Sequence, residues 1–186
     1  MLIRRMGKFV LAKALLVSFT LAGLSAQFPQ GWTGDWEGQL FVQQGNDTLQ
    51  QTTIRLGIHP LDSGRYTWAI SYGKQQQDNR PYTLIPRDKA RGLWDIDEHN
   101  GIVLGAVLHG EVLYSHFTVM GNRLTTRDEL IGDTLYHEII AGPSAATLAT
   151  GDTVLVSPAG IPDTIPPVKS FRVSSRQWAK LTRLEE

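Results

Sequence analysis

From residue 35 onward, apolar side chains return at every second position in short runs, and turn residues break the pattern about every ten positions. Trp36, Gly38, Leu40 and Val42 fall on one face of a first strand over 35–43, with Glu37, Gln39, Phe41 and Gln43 on the other. A second strand over 49–58 puts Ile54, Leu56 and Ile58 together, and Pro60 and Gly64 end it. The clearest alternation follows: Tyr66, Trp68, Ile70 and Tyr72 share a packed face, while Arg65, Thr67, Ala69 and Ser71 share a wetter one. Shorter runs over 80–85, 93–97, 102–108, 112–119, 123–131 and 134–140 complete nine strands in hairpin order. Asn100-Gly101 carries the strongest turn signal, read as type I′ with both central residues at positive φ.

Helical periodicity is nearly absent, so no crossover helix separates parallel strands, and the expected fold class is all-β. A meander of this length leaves two open edges, and pairing the first strand with the last removes both. The expectation is an antiparallel up-and-down β-barrel of eight to ten strands. Residues 141–168 are rich in Pro and Gly and form an excursion, with one short strand at 154–156. Residues 169–184 then supply a closing strand, with a short helix at 175–183 as the competing assignment.

The start of the chain changes the picture of where this barrel works. Arg4, Arg5, Lys8 and Lys13 precede an uncharged stretch from Ala14 to Leu24, and Ser25-Ala26 offers a small cleavage edge. Residues 1–26 read as a signal peptide cut near Ala26/Gln27, leaving 27–186 as a single domain that is secreted or periplasmic. The Arg4-Arg5 doublet fits ordinary secretion better than twin-arginine export, because nothing later suggests a cofactor loaded before export. There is no cysteine, which removes disulfides, thiolate metal sites, cysteine nucleophiles and lipoprotein attachment. The formal charge of zero hides a split: residues 27–186 hold 14 basic and 18 acidic residues, a net of −4. A mildly acidic surface with no basic cluster argues against nucleic acid and against stable membrane insertion.

Gly34-Asp35-Trp36, a Gly-x-Trp near the mature N-terminus at the head of an up-and-down strand series, resembles the calycin group of lipocalins and fatty-acid-binding-like proteins. The resemblance implies that Trp36 packs across the closed end of the barrel and that a basic residue of the last strand stacks on it. Arg172 or Arg176 is the first choice for that residue, with Lys180 and Arg183 as further candidates. The chain departs from the family in lacking the mid-barrel Thr-Asp-Tyr pattern, the late helix and the Arg-x-Tyr carboxylate clamp. The family's ligand residues therefore do not carry over.

Candidate chemistry is sparse. His59, His99 and His109 sit at turns; His116 and His137 sit within strands and would need to face each other, with Glu138 or Asp128, to hold a metal. Asp95 and Asp97 share one strand face about 6–7 Å apart, a spacing suited to acid–base work, but Trp94 and Ile96 claim the packed side. No cofactor motif, nucleophile elbow or phosphate loop is present, and Asn46-Asp47-Thr48 is an isolated glycosylation sequon. The aromatics remain. Tyr66, Trp68, Tyr72, Tyr82, Trp94, Tyr114 and Phe117 are the candidates to line an interior that takes a small hydrophobic ligand. The alternatives are a structural or envelope-interaction protein with a filled core, and a small enzyme using Asp95 and Asp97.

Overall fold

In the computed structural model, which describes residues 27–73 and 78–185, ten strands close into one antiparallel barrel. They are β1 (Gly34–Gln44), β2 (Asp47–Ile58), β3 (Tyr66–Tyr72), β4 (Asp78–Asp88), β5 (Leu93–Asp97), β6 (Val103–His109), β7 (Val112–Val119), β8 (Asn122–Ile131), β9 (Thr134–Pro143) and β14 (Ser175–Arg183). Each strand pairs with its neighbour in sequence, and β14 lies between β9 and β1 to close the ring. The signal-peptide assignment falls on residues outside those described.

The excursion between β9 and β14 is itself a nested hairpin. β10 (Leu148–Thr150) pairs with β13 (Val168–Ser170), and beyond it β11 (Thr153–Val156) pairs with β12 (Pro162–Ile165). The competing helix at 175–183 does not form. Those nine residues are a strand whose Ala179 and Leu181 enter the core, because closing the ring satisfies the backbone on both sides.

The expected type I′ turn is also corrected. Positive φ falls on His99 and Gly101 but not on Asn100. Asp97 Oδ1 instead accepts from His99 N (2.8 Å) and Asn100 Oδ1 accepts from Ile102 N (2.9 Å). Two side-chain turns thus shape a longer loop where a two-residue turn was expected.

Inward positions follow the alternation. Ile54, Leu56 and Ile58 of β2, Tyr66, Trp68 and Ile70 of β3, and Trp94 and Ile96 of β5 are all buried. One end of the interior is plugged from before β1. A single helical turn, Gln30–Trp32, carries Trp32 into the barrel, where the rings of Phe28, Trp32 and Trp94 meet edge to face at 4.8 and 5.1 Å. Trp36 is fully buried beneath this plug and donates its indole N–H to the Trp32 carbonyl at 2.8 Å.

The basic residue over Trp36 is Arg183, whose guanidinium carbon stands 4.3 Å from the ring centre. Its Nη2 also donates to the Gly31 carbonyl at 3.0 Å. The first choices, Arg172 and Arg176, are corrected by the strand direction. β1 and β14 run antiparallel, so Trp36 at the start of β1 stands opposite Arg183 at the end of β14. Arg176 pairs instead with Glu138 and lies near the Trp178 ring, and Arg172 precedes β14 altogether. Gly34 is where this closure needs glycine: its φ is 127°, and a Cβ there would stand 2.9 Å from Arg183 Nη1.

Candidate functional site: a half-hollow barrel

Away from the plug, the same inward alternation encloses a cavity of about 450 Å³. Its walls are apolar: Trp68, Ile70, Tyr72, Tyr82, Ile96, Leu104, Phe117 and Ile139. Ile102 and Val119, both partly open to solvent, also line it and mark its rim. The space exists because β7 and β8 send short side chains inward here. Ser115 and Thr126 are cross-strand partners in this wall, whereas the opposite end receives tryptophans.

Four of the seven aromatic candidates, Trp68, Tyr72, Tyr82 and Phe117, line this cavity. The other three do not. Tyr66 and Trp94 belong to the buried core, outside the cavity walls, and Trp94 is held against Phe28. Tyr114 alternates with inward Leu113 and Ser115 and so faces outward, 6.4 Å from the His109 ring. Tyr114 is therefore corrected to the outer face, while Tyr66 and Trp94 point inward at a level of the barrel that a strand's face alone does not specify.

At the rim, Arg80 sits 5.0 Å from the centre of the Tyr72 ring and is held in a fork by Asp78 (3.1 and 2.7 Å). The Arg80 hydrogen bonds hold the Asp78 carboxyl below its ordinary range. Burial raises the Tyr72 phenol above its ordinary value, with Arg80 opposing only in part. Burial and then the nearby Glu98 raise Tyr82 as well. Both phenols therefore stay neutral through the physiological range, presenting O–H groups to an otherwise oily wall.

Three polar residues lie deep in the same wall. Ser115, Asp128 and His137 are all buried, and Asp128 and His137 are only 3% and 4% exposed. Asp128 Oδ1 and His137 Nδ1 are 2.7 Å apart as direct cross-strand partners in β8 and β9. The far ring nitrogen of His137, Nε2, is buried without a hydrogen-bond partner. His137 is among the residues that line the cavity, so the cavity is where a partner for Nε2 would come from. Ser115 Oγ is already committed as a donor to the Gly105 carbonyl at 2.8 Å.

The hairpin makes this pair readable. The two-residue turn Gly132-Asp133 sets Ile131 opposite Thr134, and counting back from it sets Asp128 opposite His137. A metal site at His137 would need His116 to face it across the barrel, with Glu138 or Asp128. That is corrected: His116 is exposed on the outer face, bonded to Thr125 Oγ1 at 2.6 Å, because Ser115 and Phe117 take the inward positions. Among the described residues no group of three or more His, Asp or Glu side chains converges to hold a metal.

Asp95 and Asp97 alternate with buried Trp94 and Ile96, so both lie on the outside. Asp95 is paired with Arg87, and Asp97 caps the backbone of His99. They form no concave site, and the enzyme reading loses its residues. A second, larger concavity of about 1080 Å³ runs along the outer wall beside Asp35, Arg55, Gly57, His59 and Ser71. It is open to water, and its Asp35 and His59 already meet each other at 3.0 Å.

No protein-family model, curated protein or solved structure matches the chain, so the cavity's chemistry must be read from its own residues.

Proposed function

We propose that this chain is a secreted, calycin-like binding protein that holds a small, predominantly apolar molecule in the open half of its barrel. The observation that carries the reading is the cavity of about 450 Å³, which is within the size range of small-molecule sites. Its aromatic and branched walls, with a few polar groups among them, match the make-up of such sites. The Gly34-x-Trp36 closure under Arg183 supports the calycin kinship. The apolar inside and charged outside oppose the pattern of a membrane-spanning barrel, which supports a soluble carrier. The leader over 1–26 supports export, and the net acidity of the remainder supports a partner other than nucleic acid.

A second reading draws on the excursion. Val154, Leu155, Val156 and Ile161 stand exposed on the β11–β12 hairpin, as on an arm that touches a protein of the envelope. On that reading the barrel is a scaffold and the cavity has no ligand. Trp68 separates the two, because it is the tryptophan among the cavity walls. Titration with lipophiles of graded length should change its emission at saturating, stoichiometric concentrations, and Trp68→Phe should remove that signal. No response to any member of the panel would leave the scaffold reading in place.

A further inference from the structure

The buried Asp128–His137 pair in the cavity wall leaves one polar atom unaccounted for. His137 and Asp128 are buried in an apolar wall, Nδ1 is engaged by the carboxylate, and Nε2 is left without a partner. A pair kept only for stability is matched or bettered by well-packed apolar residues of similar volume. We infer that His137 Nε2 receives the head group of the bound molecule, and that this head group is a hydroxyl: the ligand is an apolar alcohol entering head first. The inference rests on the cavity being a binding site, as proposed above.

The chemistry narrows the head group. Asp128 accepts from Nδ1–H, so Nε2 presents a lone pair when the ring is neutral and an N–H when it is charged. A hydroxyl serves both states, donating to the first and accepting from the second. A carboxylate head would bring a second negative charge beside Asp128 in a largely apolar wall. An ammonium head would strand its remaining donors among Ile70, Ile96 and Ile139. Ser115 adds capacity at the same depth: its O–H is spent on the Gly105 carbonyl, and its oxygen still accepts. Tyr72 and Tyr82 are neutral phenols, which burial only reinforces, and repel no head group on its way in.

The test compares probes of one length against a competing fluorescent lipophile: decanol, decyl chloride, decanoate and decylamine. The affinity ratio of decanol to decyl chloride should fall about tenfold in the double variant Asp128→Leu/His137→Phe, which removes both partners and leaves neither charge stranded. An unchanged ratio overturns the hydroxyl site. So does tighter binding of decanoate or decylamine than of decanol to the parent protein. If all four bind the parent and the ratio is unchanged, the cavity reading survives alone; if none binds, both readings fall. A measurement without variants guards against a double variant that does not fold. The Nε2 resonance of His137 should move on adding decanol and hold still on adding decyl chloride, and equal movement with both refutes the contact.

Discussion

The two ends of this barrel are made by the same ten strands with the same inward alternation, yet one end is solid and the other hollow. At the closed end, residues before β1 turn back into the interior, where Phe28, Trp32 and Trp94 meet ring against ring and Trp36 is buried with them. Arg183 then lies over Trp36 and holds the plug's Gly31 carbonyl. At the open end no segment folds back among the described residues, and Ser115 and Thr126 stand where the other end has indoles. Periodicity decides which side chains point inward. Their size, and whether a terminal segment returns, decides whether the space is filled.

The comparison predicts unequal responses to substitution. Trp36→Ala should cost about 3–5 kcal/mol, because a large, fully buried ring is lost from a close-packed region. Phe117→Ala, at the cavity wall, should cost about 1 kcal/mol or less, since it only enlarges an existing space. Denaturant midpoints of the two variants check this, and equal losses would mean that both ends are packed alike.

Next in size is the Asp128–His137 pair. Asp128→Leu alone should destabilise by about 2–3 kcal/mol by leaving a buried imidazole with both nitrogens unmet. Adding His137→Phe should recover most of that loss. A double-mutant cycle on unfolding free energies measures it, and additive losses would break the pairing.

Arg183→Gln, which removes the cation over Trp36, should cost about 1 kcal/mol and leave ligand affinity unchanged, because the closure and the cavity occupy opposite ends. Parallel denaturation and binding measurements decide it. The smallest effect is alkaline. The Tyr72 pKa is raised in the folded state, so its contribution to stability is complete below the ordinary tyrosine range. That contribution is lost as pH rises through the folded-state value. Tyr72→Phe should therefore soften the alkaline fall in stability, seen as a smaller drop in Tm between neutral and strongly alkaline buffer.

Much of the fold was legible because hairpins are local. Strands β1 to β9 were readable from alternation and turn residues, and β14 from the need to close an edge. What escaped was the position of each side chain along the barrel axis. Tyr66 and Trp94 point inward as their alternation demands, but at levels the plug has already filled. The Trp36 partner was within reach: antiparallel pairing of the first and last strands puts the start of one beside the end of the other, which selects Arg183 over Arg172 and Arg176. The Asp128–His137 pair was equally within reach from the Gly132-Asp133 turn. Asp128 was named there only as one of two carboxylates for a metal, because the register from that turn was not counted back to His137. The plug was not legible, since Phe28 and Trp32 precede the first strand and carry no periodicity to say that they turn inward.

The hollow half is the central claim, and filling it tests that claim most directly. Titration of a polarity-sensitive lipophilic dye into the parent protein and into Thr126→Trp, which places an indole in the cavity from its own wall, should give saturable one-to-one binding in the first. In the second, affinity should fall at least about tenfold while the denaturation midpoint stays close to that of the parent. Equal dye affinity in both proteins would place the binding outside the barrel and contradict the hollow half as the site.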